Sequence, residues 1–361
     1  MAKSIYLASA EGHSGKSSVA LGVLDTLLRS TPRVGVFRPV TRSTAEPDFV
    51  LELLLSRDGV TLDYDECVGV SYEEVHENPD AALSRIVDRF KSVERKCDAV
   101  VIVGSDYTDV ATPTELAFNA RVAANLGAPV LLVLAGREPD ESRARTADEL
   151  RQVAELALPE LADAHASLLA IVANRVEPER LDAVADAVAS VSGVPAWAIP
   201  EDPYLVAPTM SAVMGAVDGR LLKGDEALLA REVLGIVIAG MSMENVLPRI
   251  MEGALVVIAG DRSEMLLAAL TAHASGTFPS LAGIVLNGGF ELSPIIDRLI
   301  AGLDETLPIV TTDFDTYETA QRIVQTRGRL TATAQRKIDT ALALFDKHVD
   351  AELLLRELGA G

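Results

Sequence analysis

Cysteine is scarce in this chain: Cys67 and Cys97 are all it has. They make neither a C-x-x-C pair nor a disulfide framework, so they read as buried thiols in a reducing compartment, and a cytoplasmic location is expected. Basic charge is also in deficit, with 32 Lys and Arg against 53 Asp and Glu and a formal net charge of −21. A phosphate backbone or an anionic membrane surface would be repelled by that balance. Nucleic acid and membranes are therefore excluded as broad partners, while a small anion in a local pocket is not. No apolar window reaches the roughly 18 residues of a membrane span. The start, MAKSIYLASA, carries too short an apolar stretch for a signal peptide. The five histidines show no metal-ligand spacing, and neither H-E-x-x-H nor the G-x-S-x-G elbow occurs.

What the chain does have is apolar sequence, 49% of 361 residues, which suits two cores rather than one and argues against disorder. Short apolar runs at 4–9, 34–37, 99–103, 130–134, 168–174 and 195–199 alternate with helical patterns at 16–30, 80–92, 114–126, 141–157 and 178–190. Uninterrupted apolar strands separated by helices predict an α/β fold with a mostly parallel sheet covered on both faces. Pro113 suits a first helical turn, with Thr112 as its cap. The run IPEDPYLVAP (199–208) holds three prolines and no periodicity, and predicts a domain boundary. Beyond it the alternation resumes at 234–239, 254–260, 281–287 and 307–312, predicting a smaller α/β domain. The last stretch is helical in period and puts Ile338, Leu342, Phe345 and Val349 on one stripe. With no strand of its own, that stripe is expected to meet something else. The predicted divisions are 1–200, 201–330 and a helical linker at 331–361.

The stretch SAEGHSGKSSVA (9–20) follows the first strand and opens a helix. It ends as a P-loop does, but Ala10 stands where the strict G-x-x-x-x-G-K-[ST] pattern has glycine. Gly12 and Gly15 are expected to supply the tight turn, Lys16 the charge for terminal phosphates, and Ser17, beside Ser18, a hydroxyl for Mg²⁺. A Gly-Lys-Ser that merely starts a helix is the plainer alternative. Arg38, in FRPV at the end of the second strand, is placed to meet phosphate or to face solvent. Asp48 opens the next helix and either completes a Mg²⁺ shell through Ser17 or water, or serves as an acid at a helix N-terminus.

Together the loop variant, Arg38-Pro39 and VANRVEP (172–178) resemble the dethiobiotin synthetase-like P-loop fold. The resemblance implies that Arg38-Pro39 matches a Lys-Pro strand end that helps hold phosphate. It also implies that Asn174-Arg175 matches the motif whose asparagine contacts adenine, with ATP/Mg as a ligand rather than a cofactor. One departure matters: the family's strand-end Glu-Gly, whose carboxylate helps hold Mg²⁺, is Val103-Gly104 here, and Asp106 is offset along the chain. Phosphoryl transfer rests on positioning and on charge neutralisation by the metal, so this loss argues for sensing rather than turnover.

Gly260-Asp261-Arg262 and Asn287-Gly288-Gly289 resemble the signature turns of the DRTGG domain. Asp261 and Arg262 can pair or bind a charged group, or simply form a surface ion pair beside tight turns. The order of modules resembles the N-terminal region of long-form phosphate acetyltransferases, especially the actinobacterial form. Such enzymes interconvert acetyl-CoA and phosphate with acetyl phosphate and CoA. The resemblance implies that residues 331–361 are too short to be the acetyltransferase domain that follows. It further implies a regulatory and oligomer-stabilising role, with further copies of the chain, the C-terminal acetyltransferase domain and a small metabolite or nucleotide effector as partners. The alternatives are a stand-alone ATP-dependent ligase or kinase of the dethiobiotin synthetase type, and a purely structural assembly module.

Overall fold

Seven segments, all but the last buried along most of their length, line up as β1 (Lys3–Ser9), β2 (Val34–Thr41), β3 (Val68–Ser71), β4 (Ala99–Val103), β5 (Val130–Ala135), β6 (Leu168–Val176) and β7 (Ala196–Pro200). The computed structural model describes residues 2–43, 46–105, 115–139, 143–303 and 307–359, so Asp106 and the Thr112-Pro113 cap lie outside the described residues. All pairings in this sheet are parallel, in the order β3-β2-β4-β1-β5-β6-β7. Parallel strands need crossovers, and these carry α1 (Lys16–Ser30), α2 (Phe49–Leu55), α3 (Tyr72–Glu77), α4 (Pro79–Glu94), α5 (Glu115–Leu126), α6 (Ala147–Asp163) and α7 (Leu181–Ser192). Covered on both faces, β4 and β5 are apolar at every position, and Ile5, Leu7, Val101 and Leu132 are fully buried.

The caps explain why most of these helices begin where they do. Asn78 accepts from Ala81 N at the start of α4, with proline in its first turn. Thr146 and Glu149 form a reciprocal capping box on α6. Helix α1 differs: it begins after Gly15 with no side-chain cap and no acid in its first turn. The chain leaves β1 toward β2 on one side, and leaves β4 toward β5 on the other, so the carboxyl ends of β1 and β4 flank the point where the winding reverses. Open parallel sheets leave a crevice for ligands at such a point.

The chain divides into two compact units, residues 1–202 with 330–361, and residues 203–329. The second unit contains α8 (Pro203–Val206), α9 (Met210–Ala216), β8 (Arg220–Lys223), β9 (Gly235–Ile238), α10 (Met243–Val246), β10 (Ala254–Ala259), α11 (Ser263–Ser275), β11 (Leu281–Asn287), α12 (Pro294–Ala301), β12 (Ile309–Thr311) and α13 (Thr316–Gln325). Its sheet runs β8-β12-β11-β10-β9, parallel except for β8.

The tail departs from the expected linker. Helices α14 (Gln335–His348) and α15 (Ala351–Glu357) belong to the first unit, where α14 lies against α1 and β7. The stripe that seemed to lack a partner is covered: Ile338, Phe345 and Val349 are buried, and Leu342 is half-buried. Arg29 of α1 pairs with Asp346 of α14 at 2.9 Å. Periodicity marked the apolar face correctly, but nothing in the sequence told which surface, hundreds of residues earlier, would receive it.

Candidate functional site

The loop after β1 is held from several sides. Ala10 is half-buried against the core of the first unit, where its methyl packs rather than obstructs. The left-handed steps of the turn fall at His13 (φ 58) and Gly15 (φ 72), not at Gly12. At Gly15 the requirement is double, because an added Cβ would come 2.3 Å from Asn174 Nδ2. Asn174, at the end of β6, donates that Nδ2 to the Ser14 carbonyl at 2.8 Å. Arg175 donates to the His13 carbonyl at 2.9 Å and to Glu201 Oε1 at 2.8 Å, and itself sits at φ 64. A non-glycine residue in that region costs on the order of 1–2 kcal/mol. Asn174, which the resemblance put at an adenine base, and its neighbour Arg175 both fasten the loop's backbone.

Glu11 and Arg145 supply a further clasp that the sequence did not suggest. They form a bidentate pair at 2.7 and 2.9 Å, and Arg145, itself buried, also donates to the Ala135 carbonyl at 3.1 Å. Nothing local signals a pair that spans β1 and the segment before α6.

Within this frame Lys16 is buried at 4% exposure and donates its Nζ to the Ser105 carbonyl at 2.9 Å. The same carbonyl accepts from Asn119 Nδ2 at 3.2 Å, and Asn119 Oδ1 accepts from Tyr6 Oη at 2.6 Å. Burial pushes the Tyr6 phenol far above its ordinary pKa, so it serves as a neutral donor. Ser17 and Ser18 are half-buried, and Ser18 Oγ turns back onto the Gly15 carbonyl at 2.7 Å. The hydroxyls of Ser9 and Ser14 are buried with no hydrogen-bond partner. Orphaned buried hydroxyls are uncommon, and here they flank an uncapped helix N-terminus, where anions are favoured.

Arg38 does reach this region, through the end of β4. Its Nη1 donates to the carbonyls of Val103 at 3.0 Å and Gly104 at 2.5 Å, and its Nε to Asp48 Oδ2 at 3.1 Å. Asp48 Oδ1 meanwhile caps α2 by accepting from Val50 N and Leu51 N, both at 3.0 Å. The sequence left Asp48 open between a metal ligand and a helix-start acid, and the geometry gives the second. Both carboxylate oxygens are engaged in holding the fold. Ser17 can offer one hydroxyl to a Mg²⁺, Asp48 Oδ2 faces Arg38 while its Oδ1 caps α2, and Val103 is aliphatic. Among the described residues no group of three His, Cys, Asp or Glu gathers to hold an ion.

In the second unit the two glycine turns are neighbours, because β10 pairs with β11 and Gly260 N donates to the Asn287 carbonyl at 2.9 Å. Gly288 N and Gly289 N donate to Phe314 and Thr312 carbonyls at 2.8 and 3.1 Å, joining the turns to the end of β12. Asp261 is exposed, and Arg262 pairs with Glu264 at 3.0 Å rather than with Asp261. Arg262 also donates to the Ala239 carbonyl at 2.5 Å, which ties down the chain leaving β9. Asn287 Nδ2 donates to Thr316 Oγ1 at 2.9 Å. Arg262 and the Asn287 amide nitrogen thus fasten neighbouring turns, while Asn287 Oδ1 is buried with no hydrogen-bond partner. Cys67 and Cys97 are free and buried, far from either constellation in role.

A family model for an AAA domain matches residues 3–209, and one for a DRTGG domain matches residues 212–326. Over 98% of its length the chain is 31% identical to a phosphate acetyltransferase of Nitratidesulfovibrio vulgaris, and over 99% it is 28% identical to one of Synechocystis sp.. Those matches take in 51% and 52% of the two relatives, so the chain spans about half the length of the curated proteins it matches. Among solved structures, the septum site-determining protein MinD complexed with Mg-ADP from Pyrococcus horikoshii aligns with 57% of this chain and 84% of its own, at 19% identity and a TM-score of 0.36. No helix among the described residues is long and apolar enough to cross a membrane. The chain belongs to the AAA-domain family matched over residues 3–209, carries a DRTGG domain after it, and in that combination is a relative of the phosphate acetyltransferases.

Proposed function

We propose that this chain is the sensing part of a phosphate acetyltransferase, binding the phosphates of a nucleotide or small metabolite at the N-terminus of α1 without turning it over. The observation that carries this is the placement of Lys16, buried at the uncapped start of α1 beside two orphaned hydroxyls. The AAA and DRTGG matches and the phosphate acetyltransferase relatives support a regulatory part of such a protein. On this reading the interconversion of acetyl-CoA and phosphate with acetyl phosphate and CoA belongs to a larger protein. This chain contributes effector response and assembly with further copies. An allosteric coupling of about 1–3 kcal/mol is enough to change affinity at a distant site by roughly 5–150-fold, and it requires only differential binding. Turnover demands more: a held metal and a positioned nucleophile.

Isothermal titration with ATP, ADP and pyrophosphate, paired with a phosphate-release assay, tests the reading. Binding by the wild type is expected to weaken at least tenfold in Lys16→Ala, with no ATP turnover in either protein. Turnover abolished by Lys16→Ala would instead assign an ATP-dependent ligase or kinase. Absence of any binding, with oligomeric assembly intact, would leave a structural module.

A further inference from the structure

Resting on the assembly part of the reading above, we infer that the second unit joins a second copy of this chain through the open edge of its sheet, β9 pairing antiparallel with the partner's β9 across a two-fold axis. A sheet edge leaves a row of N–H and C=O groups free to pair with another strand, and proteins guard such edges with charge, proline or a covering element. Among the described residues the other three edges carry such a guard. Arg89 Nη1 donates to the Val68 carbonyl of β3 at 3.1 Å. Strand β7 ends in Pro200 and has α14 against it. Strand β8 begins with Arg220 and ends with Lys223. Strand β9 reads GIVI, and residues 233–243 hold neither a charged side chain nor a proline.

The surface around that edge is apolar on both faces. Ile236 packs toward the core formed with α9 and α13, whereas Val237 belongs to the core on the other face. Alternation puts Ile238 on the Ile236 face, where it is 44% exposed. On the opposite face lies Met251, 52% exposed, whose sulfur would be 2.8 Å from a Cβ added at Gly235. Met241 and Met243, just beyond the strand, are exposed as well. Exposed apolar residues need no explanation singly, but methionines gathered at an unguarded edge suit an adaptable contact surface.

Self-complementarity selects a second copy as the occupant. Val237 lies opposite Val256 of β10, and Ala239 N donates to the Val257 carbonyl at 2.9 Å, so the odd-numbered residues turn their backbone groups to β10. The N–H and C=O of Ile236 and Ile238 therefore point outward. A two-fold axis beside Val237 sets Ile236 against the partner's Ile238 and Ile238 against the partner's Ile236, each pair exchanging both hydrogen bonds. The same register gathers the isoleucines of both copies on one face. Charge favours this approach: at a net −21 two copies repel broadly, and an uncharged edge is where they can meet.

Sedimentation velocity on the chain over a concentration series, with amide exchange below and above the association midpoint, is the test. One short strand and a few side chains make an interface of the small, transient class, so a dimer is expected at roughly tens to hundreds of micromolar. Exchange at Ile236 and Ile238 should slow at least threefold in the associated sample, while Val237, already bonded to β10, should not change. Ile238→Lys supplies the missing guard and should weaken dimerisation at least tenfold with an unchanged circular dichroism spectrum. Ile295→Lys, on α12 and 72% exposed, should associate as the wild type does. Self-association that leaves Ile236 and Ile238 unprotected, survives Ile238→Lys, or is lost in Ile295→Lys alone would overturn the inference and leave assembly standing. A chain monomeric throughout the series would overturn both.

Discussion

Gly22, in the middle of α1, is the position at which the docking of the C-terminal helix can be weighed most directly. In an isolated helix Gly→Ala gains about 1 kcal/mol, because glycine loses more backbone freedom and exposes more backbone. In the folded protein the new Cβ would stand 2.1, 2.4 and 2.7 Å from Cγ, Cδ2 and Cβ of Phe345. No side chain tolerates that approach, so the ring must move, and Phe345 is 1% exposed with little room around it. Overpacking of this kind costs about 1–3 kcal/mol, and partial ejection of the ring forfeits some of the ~1.5–3 kcal/mol its burial contributes. The repulsion outweighs the propensity, and Gly22→Ala is expected to destabilise the first unit by about 1–3 kcal/mol. Phe345→Ala alone should cost about 3–5 kcal/mol. On that background Gly22→Ala should reverse sign and stabilise, since the methyl then fills vacated space. The chain has one tryptophan, Trp197, on β7 of the first unit, so urea unfolding followed by its fluorescence reports this unit alone. A rise in midpoint for Gly22→Ala in the wild-type background would show that α14 does not sit on α1.

Acid should loosen the start of α6 before the core. The Arg143 guanidinium beside Glu149, with the Thr146 N–H, holds its carboxyl down at about 2, against an ordinary value of 4.5. A depressed carboxylate contributes its full stabilisation above the ordinary value and loses it as pH falls through the folded one. Amide exchange in the first turn of α6 should therefore rise between about pH 4.5 and 2, and Glu149→Gln should show the fast exchange already at pH 7. Burial pushes the Cys67 thiol up to about 12, and raises Cys97 as well. Neither should react with a thiol reagent at pH 8 in the native chain, and both should react in denaturant. Prompt native-state labelling of Cys67 would contradict its burial.

How much of this was legible depends on the range of the interaction. Strands such as AVVIV (99–103) announce themselves because a strand buried on both faces has no polar positions to hide its period. VGVS (68–71) and RLLK (220–223) are too short, and the second too charged, to rise above their surroundings, although each extends a sheet edge. Helix α6 begins at Ala147 rather than at 141, and Thr146 with Glu149 is the capping-box signature that marks that start. It also runs through Pro159, which a propensity reading would have used to stop it. The turn at Gly15 with Lys16 and Ser17 at the start of α1 could be placed from the sequence because strand, turn and helix start are contiguous in the chain.

The rest of the site is not local, and this decides what it is. Asn174 was found through a motif, yet its role followed only from the 2.8 Å bond to the Ser14 carbonyl, across 160 positions of sequence. Arg38 was likewise found, and its meaning turned on Asp48. A carboxylate ten residues away is an ordinary neighbour in sequence, but only coordinates show that one of its oxygens caps a helix and the other faces a guanidinium. Read in one dimension, Val103 was a deletion, a metal ligand lost. In three dimensions it belongs to a consistent substitution. At the strand end the carbonyls of Val103 and Gly104 accept from Arg38, and Arg38 in turn pairs with Asp48. A buried charge needs its partner permanently, because removing either one leaves the other uncompensated in the interior. With one oxygen on Arg38 and the other at the start of α2, the Asp48 carboxylate is part of the fold before any ligand arrives.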